Sequence, residues 1–402
     1  LTDHAHPTMP HLDDETLLPS LIQTVDTVHK WGALASIELT HSGCRAKGAF
    51  LAPGGYVIGP SAMEANLYGD KVIEMDEDMM DMIADAYAQA AYMAEFAGCD
   101  MVNIHGGHGW LLDQFLSPLY NTRTDEYGGS LENRAKFPLM VIDRVRQRCG
   151  DDFLIEYRMS GSEEIEGGLT QEEGIAFAKL LDGKVDLIHV SAGLDTEEAQ
   201  AVHTHPTMFL PHGVNVHYAA AIKAAGVKTP VVTIGGITTP ELAEQILAEG
   251  KADVIAMARA SIADPHFPEK ARHGRAEDIV PCLRCLDCLT GLHAGNQLTC
   301  AVNCRTAQEA RFDRMSAPAK AKRNVLVVGG GPGGMKAAVT AAQRGHNVTL
   351  AEQTDKLGGL LKFTDYDDLK VDLMWLKNYL IRQVEKHNVN VLLNTTVTPE
   401  FI

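Results

Sequence analysis

Met101-Val102-Asn103-Ile104-His105-Gly106-Gly107-His108-Gly109-Trp110 is the stretch that decides the fold. A short apolar run follows a helical pattern over Asp76–Ala97 and breaks off on two imidazoles separated by glycines. Parallel α/β barrels place reactive side chains in this way, just past the C-terminal end of a buried strand.

Outward from this stretch the same alternation repeats. Strand candidates are Ala33–Leu39, Met101–His105, Phe153–Arg158, Val185–Ser191, Pro230–Gly235 and Ala252–Met257. Most are nearly continuous in apolar residues, as strands covered on both faces require. Helical patterns lie between them, among them Glu132–Cys149 and Thr170–Leu181. Thr170 with Glu173 forms a capping box, and Pro240 after Thr239 suits a first helical turn. His41, His105, Arg158, Ser191 and Gly235-Gly236 all fall at strand C-termini, which favours a (β/α)₈ barrel over a doubly wound sheet. Six strands are two short of that barrel, and the missing pair is expected to come first. The chain opens Leu1-Thr2-Asp3 and stops at Phe401-Ile402 after a strand-like segment. Both ends read as cuts in a longer protein.

The 402 residues suffice for two or three domains, and 45% of them are hydrophobic. No apolar run approaches the ~18–20 residues of a membrane span. A net charge of −18 argues against nucleic acid and anionic lipid as partners and suits a cytoplasmic enzyme.

Of eight cysteines, Cys44, Cys99 and Cys149 are scattered, while Cys282, Cys285, Cys288, Cys300 and Cys304 crowd together. The spacing C-x₂-C-x₂-C-x₁₁-C through Cys300 suits a [4Fe–4S] cluster, three thiolates wrapping one corner and a distant one closing the site. Zinc usually takes two separated C-x₂-C pairs. Cys304 is an alternative fourth ligand.

Past a polar linker, Met315–Arg323, the strand Asn324–Val328 runs into Gly329-x-Gly331-x-x-Gly334 and an Ala-rich helix. A second strand, Asn347–Leu350, ends near Glu352. Strand, glycines, helix and acid in that order make a dinucleotide site, with pyrophosphate on the helix N-terminus and ribose on the carboxylate. They do not separate FAD from NAD.

His105 and His108 could ligate zinc, but two imidazoles beside glycines that leave room for a ligand also suit the polarisation of a carbonyl oxygen. Arg158 ends an apolar strand and needs an acid such as Glu156 or Glu38, or an anionic cofactor. Gly235-Gly236 and Ala258-Arg259 follow the last two strands, where barrels often hold a phosphate.

The run from His105 through Trp110-Leu-Leu-Asp-Gln-Phe-Leu-Ser-Pro118 to Asn121-x-Arg123-Thr-Asp-x-Tyr127-Gly-Gly-Ser-x-Glu132-Asn-Arg134 resembles the old yellow enzyme family. With the cysteines and second nucleotide domain behind it, the chain is similar to the multidomain branch that includes 2,4-dienoyl-CoA reductase, 2-enoate reductase and trimethylamine dehydrogenase. The resemblance implies an FMN barrel over 1–275, a [4Fe–4S] segment over 276–314 and the start of a Rossmann-like FAD/NAD(P)-binding domain over 315–402. It implies an anaerobic NAD(P)H-dependent ene-reductase that transfers hydride from flavin to an activated C=C bond. His105 and His108 would grip the substrate. Glu38, Arg158, Gly235, Gly236, Ala258 and Arg259 would hold FMN. Gly329, Gly331, Gly334, Glu352 and Gly359 would hold FAD, and Cys282, Cys285, Cys288 and Cys300 the cluster.

Three departures stand out. Glu38 replaces the family's usual Gln, so it can only accept where an amide also donates. Trp110 replaces a Tyr that many ene-reductases use as proton donor, leaving Tyr56, Tyr68, a segment outside the chain or water for that task. The first two barrel strands, which normally touch FMN, are not in the sequence. Rival readings are an amine dehydrogenase, in which the trimethylamine enzyme has Tyr at the first His position, and an inactive or electron-carrying fragment. A homo-oligomer stays open, as does the identity of the unsaturated substrate.

Overall fold

The computed structural model describes Asp3 and residues 11–12, 15–195, 198–293 and 295–402. The chain start at Leu1-Thr2, read above as a cut, lies outside the described residues. Two compact units form, one from Leu1–His205, Gly213–Gly235 and Gln245–Ala256, the other from Pro206–His212, Gly236–Glu244 and Met257–Ile402.

The first unit carries β1 (Ser36–Leu39), β2 (Val57–Gly59), β3 (Val72–Glu74), β4 (Met101–Gly106), β5 (Leu154–Ser160), β6 (Leu187–Ser191), β7 (Val231–Thr233) and β8 (Val254–Ile255). One sheet runs β1-β4-β5-β6-β7-β8 with every neighbour parallel, the sequential order of a (β/α)₈ fold. All six expected strands are present, four of them shorter than expected, while β4 and β5 run on to Gly106 and Ser160. β7 begins only after Pro230, which has no N–H for a ladder. The parallel pair β2–β3 escaped sequence reading because three residues per strand are too few to show a period.

The helix Glu77–Phe96 starts on Asp76, whose side chain accepts from the Met79 N–H at 2.8 Å. It buries Met80, Ile83, Ala84, Tyr87, Ala91 and Ala94, the three-and-four spacing of one helical face. The expected capping box at Thr170 is present. The single helix expected over 132–149 is instead two, Leu131–Arg134 and Lys136–Cys149. Pro138 explains the break, because it offers the Arg134 carbonyl no N–H.

The strands are not apolar throughout. Val102, Ile104, Ile155, Tyr157, Ile188 and Val190 are fully buried in the core shared with the helices. Between them, registered across the sheet, lie Glu38 beside Asn103 and Asn103 beside Glu156. His105 sits beside Arg158, and Arg158 beside His189. Because successive strand residues point to opposite faces, these polar residues share the face away from that apolar core. Each large apolar residue so buried contributes roughly 1.5–3 kcal/mol. The polar face is thus carried by a sheet stabilised from its other side.

The second unit holds the cysteine-rich segment and a parallel sheet ordered β11-β10-β9, from β9 (Asn324–Val328), β10 (Asn347–Ala351) and β11 (Asn390–Leu392). Helices Pro332–Gln343 and Val371–Lys386 cover it, closing a small core around Met335, Ala338, Leu350 and Val384.

Candidate active site

β4 ends in a close approach. A side chain at Gly106 would collide with the Tyr157 hydroxyl, so only glycine lets the strand pass. His108 then adopts φ 60°, a left-handed conformation costly for a residue with a Cβ. Four contacts hold it there. The His108 N–H donates to Ser160 Oγ at 3.0 Å, and its carbonyl accepts from Arg45 Nη1 at 3.0 Å and from the Asp195 N–H at 3.3 Å. Its Nε2 lies 2.6 Å from Ser191 Oγ.

The His105 and His108 rings stand edge to face, 5.1 Å between centroids. They are 4% and 3% exposed. Burial, and after it the Arg158 charge, pushes both well below the ordinary imidazole range. Both rings are therefore neutral near pH 7, each with one N–H to donate. His105 Nδ1 is buried without a partner.

Arg158 Nη1 pairs with Glu38 Oε2 at 3.0 Å, the second of the two acids expected for it. Glu156 is engaged elsewhere, accepting from Asn103 Nδ2 and lying 3.0 Å from His189 Nδ1. Burial pushes the Glu156 carboxyl up, but the hydrogen bonds of His189 and Asn103 outweigh it and hold the group below the usual carboxylate range. Arg158 Nε is buried and unpartnered, a donor left over for an acceptor above this face. That spare donor fits the electron-rich edge of a flavin ring.

Trp110 lies 6.0 Å from the His105 ring, with the Arg45 guanidinium 4.5 Å from its own centroid. Of the tyrosines considered as proton donors, Tyr68 is exposed beside Lys47 and Tyr56 packs against the core. Behind the histidine loop, Asp113 Oδ2 accepts from the Gly109 N–H at 2.6 Å, and Glu163 Oε2 accepts from Ser117 Oγ and the Leu169 N–H. Both acids are fully buried. Burial, then the Glu163 charge, pushes Asp113 well above the carboxylate range, and burial pushes Glu163 up to about 7.

Gly235 and Gly236 follow β7 with φ of 125° and 67°. Ala258 caps the short helix Arg259–Ala263. The Arg259 side chain donates to the Pro206 carbonyl at 2.9 Å and lines a pocket with Cys282, Cys285, Cys288 and Cys300. All four expected ligands thus line one cavity, which Cys304 does not line; Cys285 and Cys304 are both exposed. The loop curls through two non-glycine residues at positive φ, Arg284 and Leu286, and the Arg284 N–H donates to Cys282 Sγ at 3.4 Å. Burial pushes the Cys282 thiol up to about 11 and raises Cys288. Thiols so placed ionise only with a strong positive charge among them. Four cysteines lining one pocket suit a cluster with an iron for each thiolate.

In the nucleotide-binding motif a side chain at Gly334 would strike the Gly329 carbonyl, so the third glycine permits close helix–strand packing. Gly331 begins the helix without any side-chain cap, leaving N–H groups free for an anion. Glu352 accepts from the Gly330 N–H at 2.6 Å and from Thr354, whose hydroxyl is the main cause that holds its carboxyl low. Gly359, at φ 54°, lies against Gly331.

Asn103 and His189 were not singled out from sequence, and Glu156 only as a possible partner of Arg158. Their signal was present as a two-residue polar period inside β4, β5 and β6, masked by the apolar residues between.

A parallel α/β sheet with polar residues at its strand ends, joined to a cysteine segment and a dinucleotide motif, defines the flavin-dependent oxidoreductases. The chain belongs to the NADH:flavin oxidoreductase / NADH oxidase family, whose profile matches residues 1–278. An FAD-dependent oxidoreductase profile matches residues 324–364. The chain is 37% identical over 394 residues to an NADH oxidase of Thermoanaerobacter brockii, covering 97% of this chain and 60% of that protein. It is 35% identical over 355 residues to an N,N-dimethylglycine/sarcosine dehydrogenase of Chromohalobacter salexigens, covering 87% and 51%. A solved 2-naphthoyl-CoA reductase complex superposes with a TM-score of 0.90 at 31% identity, covering all of this chain and 63% of that one. The chain thus spans about three fifths or less of the length of these proteins. The family and the α/β barrel class agree with the resemblance read from sequence. No helix among the described residues is long and apolar enough to cross a membrane.

Proposed function

We propose that this chain is the barrel, cluster segment and first part of the nucleotide domain of a cytoplasmic NAD(P)H-dependent ene-reductase, with boundaries near 275 and 314. The observation that supports it most is the pair of neutral imidazoles, His105 and His108, at right angles where β4 ends. Two N–H donors aimed at one oxygen polarise a carbonyl conjugated to a C=C bond and stabilise the enolate charge as it develops. Neutrality matters, because a neutral donor gives a hydrogen bond without releasing a proton to solvent.

FMN would be held by Arg158 and Glu38 at the ring and by Gly235, Gly236, Ala258 and Arg259 at the phosphate; when bound it supplies the hydride delivered to the β-carbon. The second dinucleotide motif would take FAD through Gly329, Gly331, Gly334, Glu352 and Gly359, and the four cysteines a [4Fe–4S] cluster. The chain's own contribution is orientation. The left-handed backbone at His108 and the Ser160, Arg45 and Asp195 contacts fix the second imidazole.

A dehydrogenase relative acting on a methylated amine keeps amine oxidation as the second reading. One anaerobic experiment separates them. Protein with dithionite-reduced flavin is mixed with a panel of enoates, enones and enoyl-CoA thioesters, and oxidised protein with dimethyl- and trimethylamines. Reoxidation by an unsaturated carbonyl compound and no reduction by amines is expected. Reduction by an amine alone overturns the proposal.

A further inference from the structure

Arg284, between Cys282 and Cys285, is among the largest fully buried side chains of the chain. Its Nε donates to Asp372 Oδ2 at 3.0 Å, with both side chains 1% exposed. Its Nη1 donates to the Leu210 carbonyl at 2.7 Å. The other Asp372 oxygen lies 2.8 Å from His212 Nε2, and the His212 ring packs on Trp375 at 4.8 Å between centroids. Asp372 is the second residue of the helix Val371–Lys386, which packs in the same small core as the nucleotide-binding motif. A single residue thus touches both ends of the module: its backbone N–H donates to a cysteine sulfur, and its guanidinium reaches the nucleotide-domain helix.

Such a pair is not explained by stability. Taking two charges out of water costs several kcal/mol per ion, and apolar replacements of similar volume are often neutral or stabilising. Nor does the loop conformation call for a cation, since φ 51° at Arg284 would favour glycine or asparagine. A compensated cation beside thiolates does have an electrostatic consequence. In a poorly polarisable interior a charge acts over longer distances than in water, and the reduction potential of an iron–sulfur site responds to nearby charge and to hydrogen bonds on its sulfurs.

We propose that Arg284, Asp372 and His212 form a positioning triad that sets the reduction potential of the cluster and ties its loop to the helix Val371–Lys386. The inference rests on the reading of Cys282, Cys285, Cys288 and Cys300 as cluster ligands. With the pair intact the two charges offset one another. Removing the Asp372 charge leaves the cation, which stabilises the reduced cluster and raises its potential. Removing the Arg284 charge leaves the anion and lowers it, while the backbone N–H to Cys282 persists.

The test is a redox titration of the full chain, reconstituted anaerobically and followed by the EPR signal of the reduced cluster, with iron and sulfide measured in every sample. Asp372→Asn is expected to shift the midpoint upward and Arg284→Gln downward. Arg284→Lys, which keeps the charge and loses the fork, is expected to stay near the wild-type value. Shifts of the same sign, or an Asp372→Asn protein with full iron and an unmoved midpoint, overturn the proposal. If Arg284→Gln fails to load iron, the direction of the Asp372→Asn shift decides alone. Wild-type protein that retains no iron after reconstitution sinks the cluster reading itself and this proposal with it.

Discussion

His108 Nε2 and Ser191 Oγ stand 2.6 Å apart, linking the loop after β4 to the last residue of β6. Ser191 Oγ also lies 3.3 Å from the Met159 carbonyl, a longer and weaker option for the same hydroxyl proton. With the hydroxyl donating to Nε2, the neutral ring carries its only proton on Nδ1. Ser191 then decides which nitrogen of His108 donates.

Ser191→Ala removes that choice. Turnover with an unsaturated substrate should fall about ten- to hundredfold, the range usual when the partner that orients a histidine is lost. Ser191→Thr, which keeps the hydroxyl, should retain most of the rate. Equal losses in both variants would exclude the tautomer role.

His105→Ala should keep its flavin and lose at least ~10²-fold in turnover, because one preorganised donor at the developing oxyanion is missing. Flavin absorbance after gel filtration and steady-state rates on the same sample check both halves.

Glu38 and Arg158 neutralise one another at 3.0 Å. Glu38→Gln frees the guanidinium and restores an amide that can both donate and accept. FMN should bind this variant more tightly, about two- to tenfold by fluorescence titration of the flavin-stripped protein, a gain of roughly 0.4–1.4 kcal/mol. Weaker binding would show that the carboxylate itself serves the flavin.

Glu163 titrates near 7 in the folded chain because it is buried, against 4.5 for the ordinary carboxyl. At this group the folded state therefore binds more protons than the unfolded one between these values, so its contribution to stability falls as pH rises through that window, while the buried His105 and His108 act in the opposite direction. Asp113 shifts in the same direction as Glu163. Relative to the wild type, Glu163→Gln should therefore gain stability as pH rises from about 5 to about 8, read as the difference between the two melting temperatures. A difference between the two melting temperatures that stays constant across this range would refute the assignment.

Cys300 lines the pocket of the other three ligands, whereas Cys304 does not. Iron content after anaerobic reconstitution should drop sharply in Cys300→Ala and remain full in Cys304→Ala. The reverse pattern would move the fourth ligand to Cys304.

What could be read from the sequence was whatever a local period or a fixed spacing encodes. The six strands, the Thr170 capping box and the glycine motif before the helix Pro332–Gln343 are of that kind. The Glu38–Arg158 contact spans 120 positions and was reached only as one of two options. The Arg284–Asp372 pair spans 88 positions and left no trace, since a lone arginine between cysteines looks like a solvated loop residue. Asn103, Glu156 and His189 were not read as a ladder, Glu156 being named only as a partner for Arg158, because each is flanked by Val, Ile or Tyr and the apolar average overrode the alternation.

The left-handed backbone at His108 also limits how this position can vary through descent or design. Asparagine tolerates that conformation and keeps a donor; glycine tolerates it and abolishes the donor. Branched or bulky replacements meet a steric penalty before any chemistry is considered. Diversity of the electrophile grip is therefore channelled into a very small alphabet, and broadening of substrate choice has to arise in the surrounding loops.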